Sequence, residues 1–146
     1  MATLQTESLS ALYEQDETAW LEIMATLVAK KRFAELDHRH LSEYLTDMAK
    51  RDRREVHSRL VVLLWHLLKW ENQPNKRTGS WENTIDQQRL ELRLLLESGT
   101  LRNHADEILA GAFAVARKRA ARETKLKIGQ FPKECPWELD DLLTDD

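Results

Sequence analysis

His66 stands within Leu63-Leu64-Trp65-His66-Leu67-Leu68-Lys69-Trp70, where a polar side chain among leucines needs either a partner or a task. At 100° per residue, Glu55, Arg59, Val62, His66, Lys69 and Gln73 gather along one helical stripe. A carboxylate, a guanidinium, an imidazole and an amine on one face can do acid–base work at His66 and hold an anion at Arg59 or Lys69. The same groups also serve as a hydrogen-bonded network tying a central helix to its neighbours, and buried polar groups are normally paired for stability alone. Glu55, Arg59, His66 and Lys69 are therefore the candidate catalytic residues, with a structural role as the first expectation.

Other chemistry finds less support. His38 and His40 flank Arg39 and cannot share a helix face, and His57 and His104 lack the partners of an H-E-x-x-H site. Glu43 and Asp47 share a face, yet a di-metal bundle needs two Glu-x-x-His motifs and the chain has a single such spacing, Glu35 to His38. No metal and no cofactor are expected. Cys135 lies beside Pro136 without a basic cluster to activate it, so it reads as a small packed anchor. There is no Gly-rich phosphate loop. Arg59 and His66, separated by six residues, resemble the Arg-His pair of helical ribonucleases of the HEPN type, as Arg51 and His57 do at the five-residue spacing. That resemblance implies a ribonuclease-like or anion-binding enzyme as the alternative function.

Charge points to surfaces. Arg117, Lys118, Arg119, Arg122, Lys125 and Lys127 surround a single Glu123, while Glu134, Glu138, Asp140, Asp141, Asp145 and Asp146 make the C-terminus acidic. The acidic tail is expected to fold back along the basic end of its helix, where the helix dipole also favours cations. Nucleic-acid binding through residues 117–127 is a further alternative, disfavoured by the net charge of −3. Five tryptophans in 146 residues are many. Large aromatics seek either a core edge or an interface, which makes Trp20, Trp70 and Trp81 interface candidates.

These residues need helices to position them. Leucine appears 24 times against nine Val and Ile together, with only four Gly and three Pro, a composition that suits helix and starves sheets of both strand formers and turns. Apolar spacing predicts a helix over about 9–30, broken near Asp16; a second from Asp37 to about Ala49; and a third from Asp52. Nothing between Ala49 and Asp52 forbids one long helix. Val56, Leu60, Leu63, Leu67 and Trp70 advance by four, three, four and three, and leucines fill the other sides, so this segment is the expected axis. Pro74 ends it. Ser80 and Thr100 are the expected caps of two further helices. The last of these carries Ala112 and Ala116 on a small-residue face that could receive another helix of the same or a second chain. Residues 125–146 read as an irregular strap anchored by Ile128, Phe131 and Trp137, closed by a short helix.

The whole is expected to be one all-α domain over 1–146 with a single core, with 1–8 flexible. A lone cysteine, no leader-like start and no apolar run near the roughly 20 residues of a membrane span make a cytoplasmic protein the expectation. The expected partner is a protein or a second copy, with no membrane and no identifiable small-molecule substrate.

One family shares residues along nearly the whole chain: Tyr13, Asp16 and Trp20; Leu36-Asp37; Glu43; Ser58-Arg59-Leu60; Leu63-Leu64; His66-Leu67-Leu68-Lys69-Trp70; Gln73-Pro74; Ser80-Trp81; Ile85; Gln88-Arg89; Glu123-Thr124; Phe131-Pro132; and Glu134-Cys135-Pro136. On these residues the chain resembles the small bacterial all-helical proteins grouped as domain of unknown function twenty-nine. Tyr44, Ala49 and Gly99 depart from the family pattern, which often has an acidic residue, Gly and Pro there. The resemblance implies a compact helical fold and no assigned activity, substrate or cofactor.

Overall fold

The computed structural model describes the backbone of residues 2–145 and the side chains of residues 8–145. Among them are six α-helices and no strand: α1 (Ala2–Gln15), α2 (Glu17–Ala29), α3 (His38–Asn72), α4 (Gly79–Leu95), α5 (Gly99–Thr124) and α6 (Leu139–Leu143). The expected flexible segment at 1–8 falls largely on side chains outside the described residues. Five of the helices are long, as expected, but the chain is partitioned differently. Asp16 does break the first helix, its carboxylate accepting the Ala19 amide at 3.1 Å. The two central helices are instead one, because Lys50, Arg51, Asp52 and Arg53 all tolerate helix and no Gly or Pro interrupts them. Asp52 is exposed on that helix rather than capping it.

The chain divides into two compact units, residues 1–50 and 51–146. In the first, Leu9, Trp20, Met24, Leu27 and Leu36 form a buried cluster against Leu12, Tyr13, Leu21, Leu41 and Tyr44. α2 ends with the Lys31 amide on the Val28 carbonyl and the Arg32 amide on the Leu27 carbonyl, a C-cap that puts Lys31 at φ 58°. Asp37 starts α3 as expected, its carboxylate lying 3.4 Å from the His40 amide.

The second unit has its own core. Val56, Leu60, Val61, Leu63, Leu64, Leu67 and Leu68 are all buried, so this stretch of α3 is covered nearly all round. Where one core was expected, the buried side chains thus form two clusters. α4 is capped by Thr78 and α5 by Ser98, each two residues before the expected Ser80 and Thr100. Thr78 Oγ1 accepts the Trp81 amide at 3.2 Å and Ser98 Oγ the Leu101 amide at 3.3 Å. Leu101, Ala105, Ala112, Phe113, Ala116 and Ala120 form the buried face of α5.

The strap is held by arginines. Arg117 donates to the carbonyls of Ile128 and Phe131, and Phe131 is buried, but Ile128 is exposed rather than an anchor. The acidic tail does not lie on the basic end of α5. Arg89 and Arg93 donate to the carbonyls of Leu142 and Leu143, Arg93 also reaches Asp145, and Arg102 pairs with Asp140. Burial of Leu139 and Leu142 explains this course: the tail follows its apolar anchors, and its carboxylates take the cations nearest them.

Candidate functional site

The stripe on α3 separates into three groups, each tied to other groups of the second unit. Arg59 Nε donates to Glu55 Oε1 at 2.9 Å, Nη1 to Gln88 Oε1 at 3.2 Å, and Nη2 lies 3.9 Å from Glu91 Oε2. Two carboxylates and an amide oxygen thus surround the guanidinium, which offsets the charge an anion would need. Seven residues on, His66 Nδ1–H donates to the Val62 carbonyl at 2.8 Å, because that carbonyl can only accept. Lys69 is 2% exposed, donates to Glu123 Oε1 at 3.0 Å, and lies 4.4 Å and 5.4 Å from the ring centres of Trp81 and Trp65. Glu123 Oε2 in turn accepts the Trp65 indole N–H at 2.6 Å. This carboxylate therefore ties Lys69 and Trp65 of α3 to the end of α5. Lys69 thus fills an aromatic slot and faces its own counter-ion.

Burial, helped by the nearby Lys69 charge, pushes the His66 imidazole below its ordinary pKa, against the opposing hydrogen bond to Val62. The folded state thus binds a proton less readily than the unfolded chain, so stability contributed by neutral His66 is present above the ordinary value of 6.5 and is lost as pH falls through that value toward the lowered one. Thermal melts followed between neutral and mildly acidic pH are expected to show a falling Tm whose slope lessens in His66→Gln. An unchanged slope would remove His66 from the account of acid sensitivity.

A second polar cluster lies in the first unit and was not legible as a site in the sequence. Asp37 is 2% exposed and its Oδ2 accepts the Trp20 indole N–H at 3.1 Å and the His40 Nδ1–H at 2.8 Å. Ser10 Oγ lies 3.3 Å from the same ring nitrogen. Tyr13 stacks on the His40 ring at 4.3 Å and meets Trp20 edge-on at 4.8 Å. Desolvation, with Glu43, Glu17, Asp47 and Glu14 around it, raises the Tyr13 phenol above its ordinary value. A carboxylate that fixes an imidazole tautomer is a common device of catalytic and metal sites. Here, however, His40 is itself buried, and its Nε2 faces Glu14 at 3.9 Å. The only local sequence signal was Asp37 three residues before His40; Ser10, Tyr13 and Trp20 come from other helices.

Among the described residues no group of three or more His, Cys, Asp or Glu is placed to hold a metal ion. Cys135 borders a groove of about 700 Å³ between α5 and the strap, with Phe113, Trp137 and Leu139 among its lining. Its thiol donates to the Trp137 carbonyl, and burial pushes its pKa up, which opposes the thiolate needed by a nucleophile.

The interface candidates fare unequally. Trp20, Ala112 and Ala116 are fully enclosed in the clusters of their own units, so none presents a surface to another chain. Trp70 is half-buried beneath Arg77, whose guanidinium lies 4.5 Å from the ring and whose Nε donates to the Trp70 carbonyl. Trp81 is half-buried and covered by Lys69. The exposed apolar side chains lie elsewhere. Leu90 and Leu94, four residues apart on α4, are 47% and 55% exposed.

Such a chain is an all-α protein whose buried ionisable side chains, Asp37, His40 and Lys69, are each engaged by a partner on the chain. It belongs to the family described as Domain of unknown function DUF29, whose model matches residues 12–146. No curated protein and no solved structure matches it. No helix among the described residues is long and apolar enough to cross a membrane.

Proposed function

We propose that this protein is a non-catalytic helical interaction module that self-associates through the outer face of α4. The observation that carries the reading is the pair Leu90 and Leu94, half-exposed at a spacing of four on one helix face. A single exposed leucine needs no explanation, but two on adjoining turns make a ridge that another helix can cover. Covering such side chains contributes roughly 25 cal/mol for each Å² of apolar surface removed from water. The engagement of Arg59 and Lys69 by carboxylates supports the same reading, because it leaves the α3 stripe without the free cation that the anion-binding or ribonuclease-like alternative requires.

Light scattering over a micromolar concentration series tests this. The wild-type chain is expected to give a mass above 17.1 kDa that rises with concentration, and the double variant Leu90→Glu with Leu94→Glu a mass near 17.1 kDa with unchanged helical circular dichroism. A wild-type mass of 17.1 kDa at every concentration would count against self-association.

A further inference from the structure

Among the described residues, no carboxylate pairs with the exposed cations along the C-terminal end of α5. Glu123, the only carboxylate between residues 117 and 127, turns inward to Lys69 and Trp65. The acidic tail is engaged with Arg89, Arg93 and Arg102. Arg117 is occupied by strap carbonyls. Lys118, Arg122, Lys125 and Lys127 are exposed and, among the described residues, make no ion pair. Lys118 and Arg122 are four residues apart on one face of α5, where like charges cost a helix roughly 0.2–0.5 kcal/mol per pair, and Lys125 adds a third cation just past the end of the helix, at φ 61°. The helix dipole accounts for cations in the last turn, Arg122 among them, but its effect fades before Lys118. Val115, three residues before Lys118 and seven before Arg122, adds an apolar side chain that is 38% exposed.

We infer that the helical stripe Val115, Lys118 and Arg122, with Lys125 just past its end, is a docking surface for an acidic, amphipathic segment of a partner protein. This rests on the interaction-module reading and names the chemistry of a second partner. Carboxylates at four-residue spacing on a helical segment match the register of Lys118 and Arg122, and an apolar side chain beside them covers Val115. The observations favour a peptide over a nucleic acid. Trp65, which hydrogen-bonds Glu123 of the same helix end, already carries Lys69 and Arg119 over its ring and offers no free stacking platform for a base. From residue 51 onward, 17 Lys and Arg face 16 Asp and Glu, so no broad positive field gathers a polyanion.

The test uses the full chain and a fluorescent helical peptide of about four turns, with Glu at three- and four-residue spacing beside a Leu stripe. Fluorescence anisotropy is expected to show salt-sensitive binding that weakens by about tenfold or more in Lys118→Glu with Arg122→Glu. Circular dichroism of that variant is expected to match the wild type, since both side chains are exposed. A single-stranded RNA of similar charge, run in parallel, is expected to bind more weakly. Tighter binding of the RNA overturns the assignment of partner. Peptide binding that is absent, or unaffected by the charge reversal, overturns the docking surface. If self-association in light scattering persists in that case, the stripe alone is refuted; if it is absent too, the interaction-module reading falls with it.

Discussion

Glu123→Ala is expected to lower the unfolding free energy by about 3 kcal/mol, because it leaves the Lys69 ammonium enclosed between Trp65 and Trp81 without its counter-ion. The carboxylate is half-exposed while the amine is 2% exposed, so the loss is asymmetric: the group left behind is the one water reaches poorly. Lys69→Met removes the buried charge and keeps the volume of its stem, and is expected to cost about 1 kcal/mol or less. In the double variant Lys69→Met with Glu123→Ala most of the Glu123→Ala loss is recovered, apart from the lost Trp65 hydrogen bond. Denaturant unfolding of the four proteins, read by tryptophan fluorescence and by circular dichroism, gives the coupling directly. Strictly additive losses would show that the pair behaves as a surface ion pair and that α5 is not fastened through it.

Trp20→Ala is the second large effect, expected to cost about 3–5 kcal/mol in residues 1–50. The ring is fully buried, and Asp37 would lose one of its donors while remaining 2% exposed. Trp20→Phe separates the two contributions: it keeps most of the packing and removes the N–H, for an expected loss of about 1–2 kcal/mol. Hydrogen exchange resolved by segment checks both, with faster exchange concentrated in 1–50. Equal acceleration throughout 51–146 would contradict the placement of Trp20 in a cluster confined to the first unit.

Local signals in the sequence carried the helices, and distance in the chain hid the sites. The break at Asp16 was legible because an aspartate ahead of an apolar run is a cap by chemistry alone. The Ala49–Asp52 junction was undecidable because a basic and acidic run that can start a helix can equally continue one. Thr78 and Ser80, like Ser98 and Thr100, are interchangeable caps in sequence, and only backbone geometry distinguishes them. The stripe through Arg59, His66 and Lys69 was read correctly as polar, but its meaning depended on Gln88, Glu91 and Glu123, which lie 29, 32 and 54 positions from their partners. Trp20 and the alanines of α5 were legible as contact-making residues; that the contact is with their own units follows from burial, which periodicity alone does not assign.

Hydrogen exchange of the wild-type chain across a concentration series tests most directly whether this is an interaction module. With rising concentration, exchange is expected to slow in peptides spanning 86–98, around Leu90 and Leu94, and to remain unchanged in the buried stretch of α3 from Val56 to Leu68. Identical exchange in 86–98 at every concentration would contradict the account.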